Sequence, residues 1–198
     1  SGANPLSMPA NVMPNPEQDA VPGADGLIEA YLGSVPDLGL AVLFREDREP
    51  QGTAGALRDL GDILEDDFLV LNADVLTDAD VGAIVRRHRD AAAALTMAVA
   101  RRDFPIRYGV VECDAGDAVT RLREKPVATV DVNLGMYALS RRQVGPFLEA
   151  TSGRLDMTDL IALLLEAKRP VVPARLDCRW YDIGVEADLG ERLPAREF

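Results

Sequence analysis

Residues 68–78 read FLVLNADVLTD, a short apolar run that ends in Asn72, Ala73 and Asp74. Four apolar residues bounded by polar ones predict a buried strand over Phe68–Leu71. Asp74 closes that strand, and open α/β sheets place ligand sites at the carboxyl ends of their strands. An aspartate capping the turn into a following helix explains the position equally well. The helix itself is legible from Asp78 to His88, where Val81, Ile84, Val85 and His88 recur at i, i+3, i+4 and i+7.

The same alternation extends in both directions. Upstream, Leu57, Leu60 and Leu64 mark one face of a helix over Thr53–Leu64, and Leu38–Phe44 (LGLAVLF) reads as a buried strand. Downstream, Ala94–Ala100 predicts a strand, and Tyr108–Cys113 and Ala118–Arg123 predict a hairpin across Asp114-Ala115-Gly116-Asp117. Asn133–Leu139 is a further strand. A helix from Met157 to Lys168 has Asp156 as its N-cap and is stopped by Arg169-Pro170. Strands at Val171–Leu176 and Trp180–Ile183 and a short terminal helix follow. Strands that alternate with helices imply a mixed, largely parallel sheet flanked by helices. Residues 1–24 hold Pro5, Pro9, Pro14, Pro16 and Pro22 without apolar periodicity, so they read as an irregular arm before a single domain over 25–198.

Composition bounds the function. The chain has 198 residues, 47% hydrophobic and 27% charged, the profile of a folded chain with a core. Its net charge of −12 argues against general affinity for nucleic acid or an anionic membrane. Cys113 and Cys178 lie far apart and form no metal-ligand spacing, which argues against a disulfide scaffold and a structural zinc site. No apolar run approaches the roughly 18 residues of a spanning helix, and SGANPLSMPANVM lacks the marks of a signal peptide, so the expected location is cytoplasmic. His88 is the single histidine and lies on an apolar helix face, where a packed imidazole is the better reading. Nucleophilic hydrolase chemistry has no triad to draw on.

Several segments carry possible chemistry. Asp182, in Arg179-Trp180-Tyr181-Asp182-Ile183-Gly184, gains meaning beside Asp74, because Mg²⁺ takes one or two protein carboxylates together with substrate phosphates and waters. In Glu124-Lys125-Pro126 the proline should force Lys125 into extended geometry, where it could meet a phosphate as a point charge; an exposed ion pair is the plainer alternative. Pro50-Gln51-Gly52-Thr53-Ala54-Gly55 joins strand to helix without being a Walker loop; Gly52 permits close backbone approach, and helix N-terminal amides favour negative charge. Asp78-Ala79-Asp80 spells the Asp-x-Asp of metal-dependent glycosyltransferases, although capping at a helix start explains it better.

In order, PQGTAGAL (50–57), FLVLNADVLTD (68–78), RYGVVECD (107–114), REKP (123–126), VNLGMYAL (132–139), DMTDLI (156–161) and WYDIG (180–184) resemble the motifs of the sugar-1-phosphate nucleotidylyltransferases. The likeness extends over about residues 28–192 and is nearest the mannose- or heptose-1-phosphate guanylyltransferase and glucose-1-phosphate thymidylyltransferase branches. It implies a Rossmann-like fold of the nucleotide-diphospho-sugar transferase type. The implied enzyme joins a nucleoside triphosphate to a sugar 1-phosphate and releases pyrophosphate. By that pattern Asp74 and Asp182 hold Mg²⁺, and Lys125 is catalytic and pairs with the sugar phosphate. Glu124, Asn133 and Gly135 line the sugar pocket, and Pro50, Gly52 and Thr53 face the nucleobase. Asp47 stands where the base is selected, and a carboxylate there can accept from guanine N1–H and N2–H₂, which favours GTP. Self-association is implied too.

Two departures stand out. Ala73 replaces the glycine that usually precedes the metal carboxylate. Nothing in residues 1–27 resembles the family's glycine-rich phosphate loop, so the first βαβ unit is expected to be missing. The alternative to an enzyme is therefore a catalytically silent nucleotide-sugar-binding or regulatory subunit. A glycosyltransferase using Asp78 and Asp80 leaves the ordered motifs unexplained.

Overall fold

The computed structural model describes residues 11–12, 25–34, 41–45, 49–61 and 63–182. In chain order these form β1 (Asn11–Val12), α1 (Asp25–Ser34), β2 (Val42–Leu43), a 3₁₀ turn (Gly55–Leu60), β3 (Asp67–Leu71), β4 (Val75–Thr77) and α2 (Val81–Asp90). There follow β5 (Leu95–Pro105), β6 (Val110–Cys113), β7 (Val119–Arg123), β8 (Val127–Ser140), α3 (Arg141–Ala150), α4 (Met157–Glu166), β9 (Val171–Arg175) and β10 (Trp180–Asp182).

The central sheet has the order β3-β8-β5-β9. β8 runs antiparallel to both neighbours, and β5 pairs with β9 in parallel. The sheet is thus mixed: three strands share a direction, while one of the three neighbouring pairs is parallel. Both faces are covered, so alternate residues of one strand enter different cores. Tyr137 and Leu139 of β8 pack with Leu57, Leu148, Leu160 and Leu164 of the 3₁₀ turn, α3 and α4. Leu134, Met136 and Ala138 face the other way, toward Ile84 of α2 and Ala98 of β5. The apolar runs Leu95–Ala100 of β5 and Leu134–Leu139 of β8 are continuous because there both sides of the sheet are buried.

β8 carries one irregularity that matters for function. Its pairing with β5 passes from Tyr137↔Met97 to Asn133↔Val99, so Leu134, Gly135 and Met136 oppose Ala98 alone. Gly135 takes φ +70°, which an L side chain rarely adopts, and the bulge forms there. The Gly135 carbonyl then accepts from Asn72 N at 2.9 Å, which ties the end of β3 to the bulge.

Several local expectations change. The Thr53–Leu64 helix shrinks to a 3₁₀ turn, although Leu57 and Leu60 are buried as expected. Arg58 pins this turn to the far side of α3 through Nε to Leu148 O (3.0 Å) and Nη1 to Gly153 O (2.8 Å). Of the LGLAVLF stretch, residues 38–40 lie outside the described residues. The described part contributes the two residues of β2, and Leu43 and Phe44 are exposed, not buried, because β2 stands outside the central sheet. Its partner is β1, a parallel strand inside the segment read as irregular. The Asp114–Asp117 turn forms as expected, with Asp114 Oδ1 accepting from Gly116 N and Ala118 N at 2.8 and 3.0 Å. α3 was not foreseen; its Val144 and Leu148 are buried one helical turn apart, and Pro146 obscures the pattern. Ile183, Gly184 and the terminal helix lie outside the described residues.

Candidate functional site

Asp74 follows β3 and is exposed. β4 begins one residue later and pairs antiparallel with β10 through Val75↔Asp182, Leu76↔Tyr181 and Thr77↔Trp180. Asp182, 108 positions from Asp74 in sequence, is thereby set opposite the residue that follows Asp74, at the carboxyl end of β3. Trp180 shares its strand face with Asp182, and its indole Nε1 donates to Leu134 O at 3.1 Å. The β8 bulge therefore anchors both carboxylate-bearing segments, β3 through Asn72 and β10 through Trp180.

Asn133 and Gly135 belong to the same bulge. Asn133 Nδ2 donates to the Tyr137 hydroxyl at 2.6 Å, and its Oδ1 accepts from Gly135 N at 3.1 Å. Burial raises the pKa of Tyr137 and keeps its phenol neutral, while the N–H of Gly135 sets the orientation of the Asn133 amide.

Glu124 and Lys125 stand elsewhere. They occupy the link between β7 and β8, both well exposed, with Nζ 3.9 Å from Oε1. From Val127 to Asn133 the strand is regular, and roughly 3.3 Å per residue makes that about 20 Å along β8. Lys125 is also not extended as its Pro126 neighbour suggested. Its φ is +42°, because the chain must pass from β7 into β8 within three residues. Gly109 packs against this link, since a Cβ there would lie 3.3 Å from Glu124 Oε2.

The Gly52 loop approaches protein instead of open space. A Cβ at Gly52 would lie 2.5 Å from Leu155 O, and φ is +81°. Ala54 N and Gly55 N both donate to Leu155 O, at 3.0 and 2.9 Å. The Thr53 hydroxyl accepts from Met157 N at 2.9 Å, satisfying a first-turn amide of α4. Asp156 and Asp159 complete that helix start as a capping box, as the sequence indicates for Asp156. Pro50 is exposed at the entrance to this loop, and Asp47 lies outside the described residues.

The remaining candidates resolve into structural roles. Asp80 caps α2 by accepting from Ala83 N at 3.2 Å, and Asp78 accepts from Arg179, so the Asp-x-Asp is not a metal motif in its own right. Hydrogen bonds from Arg179 hold the Asp78 carboxyl below its usual value, and those from Arg86 do the same for Asp80. His88 is buried with Nδ1 3.0 Å from Thr96 Oγ1, and burial lowers its pKa.

Among the described residues no three His, Cys, Asp or Glu side chains converge as a metal cage. Two carboxylates at one end of the sheet, one exposed and one half-buried, instead fit a hard divalent cation that takes most of its ligands from phosphates and water. A cavity of about 480 Å³ between the 3₁₀ turn and α3 opens beside Phe68, at the opposite end of β3, and takes no part.

A mixed sheet flanked by helices, with carboxylates and a strand bulge gathered at one end, defines an α/β protein with a candidate site at the end of its sheet. The chain belongs to the nucleotidyl transferase family, whose model matches residues 22–195. It is 37% identical over 159 residues to a probable mannose-1-phosphate guanylyltransferase 1 of Oryza sativa subsp. japonica, covering 76% of this chain and 43% of that protein. It is 30% identical over 159 residues to the mannose-1-phosphate guanyltransferase of Candida albicans, covering 77% and 43%. The chain thus spans less than half the length of these relatives. Among solved structures, HddC from Yersinia pseudotuberculosis superposes with a TM-score of 0.61 at 22% identity, covering 84% of this chain and 72% of that one. That likeness establishes the nucleotide-diphospho-sugar transferase fold. The family generally uses a divalent metal ion, and no helix among the described residues is long and apolar enough to cross a membrane.

Proposed function

We propose that the chain is a nucleotidylyltransferase that joins a nucleoside triphosphate to a sugar 1-phosphate, releasing pyrophosphate and a nucleotide sugar. The observation that carries this reading is the β4–β10 ladder, which sets Asp182 opposite the residue after Asp74. In the reaction a sugar phosphate oxygen forms a bond to the α-phosphorus while the bond from that phosphorus to the β-phosphate bridge breaks. Asp74 and Asp182 would hold Mg²⁺, which would neutralise charge on the two anionic reactants. Asn133 and Gly135 orient the sugar, with the Asn133 amide held by the Gly135 N–H and Tyr137. Glu124 and Lys125, about 20 Å along β8 from Asn133, are left out of the sugar site in this reading. Pro50, Gly52 and Thr53 hold the nucleobase mainly through the shape of a loop fastened to α4.

GTP is the preferred triphosphate. Relatives named as mannose-1-phosphate guanylyltransferases support this, as does the HddC structure in complex with GMP-PN. The carboxylate of Asp47 provides the chemical rationale. A chain consuming a nucleoside triphosphate is assigned to the cytoplasm, with residues 25–198 as its one domain. Self-association is supported by the apolar residues exposed on the β6–β7 hairpin, Val111 at 51%, Val119 at 65% and Leu122 at 65%.

The test is pyrophosphate release with GTP, dTTP or UTP, each with mannose 1-phosphate or glucose 1-phosphate, beside a thermal-shift panel of the matching nucleotide sugars. A bound ligand at 100 times its Kd adds about 2.7 kcal/mol. Metal-dependent release that is greatest with GTP is expected, and equal release with all three removes the base preference. A thermal shift without turnover points to the silent nucleotide-sugar-binding subunit. Neither release nor shift removes the enzyme reading.

A further inference from the structure

Among the described residues, β4 and β10 meet over three residue pairs and form their own two-stranded sheet. A slip of one residue along this ladder would turn every β10 side chain to the opposite face. The Trp180 indole would then leave Leu134 O, and Asp182 would leave its place opposite Val75. Contacts outside the ladder help to hold the register.

Arg179, just before β10, is bound to Thr77 and Asp78 through side chain and backbone. Its backbone N donates to Asp78 Oδ1 at 2.8 Å, and its Nε donates to Asp78 Oδ2 at 2.7 Å. Its carbonyl accepts from Thr77 Oγ1 at 2.7 Å. A guanidinium and its own backbone amide on the two oxygens of one carboxylate fix both position and orientation. A slip of one residue breaks these contacts together.

We propose that Asp78 and Arg179 form a latch that sets the strand register joining Asp182 to Asp74, which makes them positioning residues for the divalent-cation site. The inference rests on the reading of Asp74 and Asp182 as that site. It goes further by giving Asp78 a purpose other than capping or metal ligation. The neighbouring Asp80–Arg86 pair, at 2.6 Å, has similar chemistry but braces only the start of α2.

The test compares the full chain with Asp78→Ala, the milder Asp78→Asn, Arg179→Gln and, as control, Arg86→Gln. Two quantities are read: Mn²⁺ affinity by calorimetry, and hydrogen exchange of the segment 179–182. In the three latch variants, Mn²⁺ affinity should fall about tenfold or more and exchange should rise, while Arg86→Gln keeps both at the parent level. Unchanged affinity in Asp78→Ala overturns the latch, and so does an equal loss in Arg86→Gln. A parent chain that takes up no Mn²⁺ overturns the carboxylate-pair reading and the latch's purpose with it. That outcome is distinguishable, because it appears before any substitution is made.

Discussion

Asp182 stands opposite Val75 in the β4–β10 ladder, one position from Asp74, although 108 positions separate the two aspartates in sequence. Neither carboxylate is part of the apolar core, so their juxtaposition is maintained by the strands that carry them. Stability and function can therefore be separated at these positions.

Asp74→Asn and Asp182→Asn should each lower metal-dependent pyrophosphate release by at least about 10²-fold, the usual scale for losing one electrostatic contact at a phosphoryl centre. Asp74 is exposed, so its variant should melt with the parent. Turnover at the parent rate in Asp74→Asn would remove that residue from the site.

The β8 bulge predicts opposite outcomes for two glycines. Gly135→Ala forces a side chain into φ +70° and places its Cβ 2.8 Å from Asn72 Nδ2, so a loss of about 1–3 kcal/mol is expected. Gly145 lies inside α3 with nothing within 4 Å of a new Cβ, and Gly145→Ala should gain about 0.4–1 kcal/mol. Urea denaturation of the two variants checks both signs.

Thr53 offers a second separation. Thr53→Val leaves Met157 N without its hydroxyl acceptor and should cost about 1 kcal/mol, whereas Thr53→Ser should cost little. Equal stability of the two variants would mean that the hydroxyl does not cap α4.

His88 ties stability to pH. Burial lowers its pKa below the usual 6.5, outweighing the opposing pull of Asp67. The unfolded chain therefore takes up the proton first as pH falls, and stability declines from pH 6.5 downward toward the folded-state value. His88→Gln should flatten that part of the profile. Melting temperatures between pH 7.5 and 5.5 decide it, and identical slopes in parent and variant would count against the buried neutral imidazole.

Local periodicity was enough to place β3, the core of β5 and β8, α2 and α4, because each buries a repeating apolar face. The β6–β7 hairpin, whose Val111, Val119 and Leu122 are exposed, was legible instead from its Asp114–Asp117 turn. The order of motifs was enough to identify the family and to nominate Asp74 and Asp182 together. The sequence did not reveal the bulge at Gly135, since an isolated glycine in a strand pattern names no register. Nor did it show that Thr53, Ala54 and Gly55 are bound to the 155–157 segment, about a hundred residues away. The left-handed Lys125 was misread because the short link between two strands outweighs a proline's effect on its neighbour.

Hydrophobic patterning and motif order, both local along the chain, determined which elements form and which carboxylates are candidates. Strand register and long-range hydrogen bonds decided how those residues meet. They depend on pairings such as Asp78 with Arg179 and Trp180 with Leu134, which become favourable only after the chain has folded back on itself.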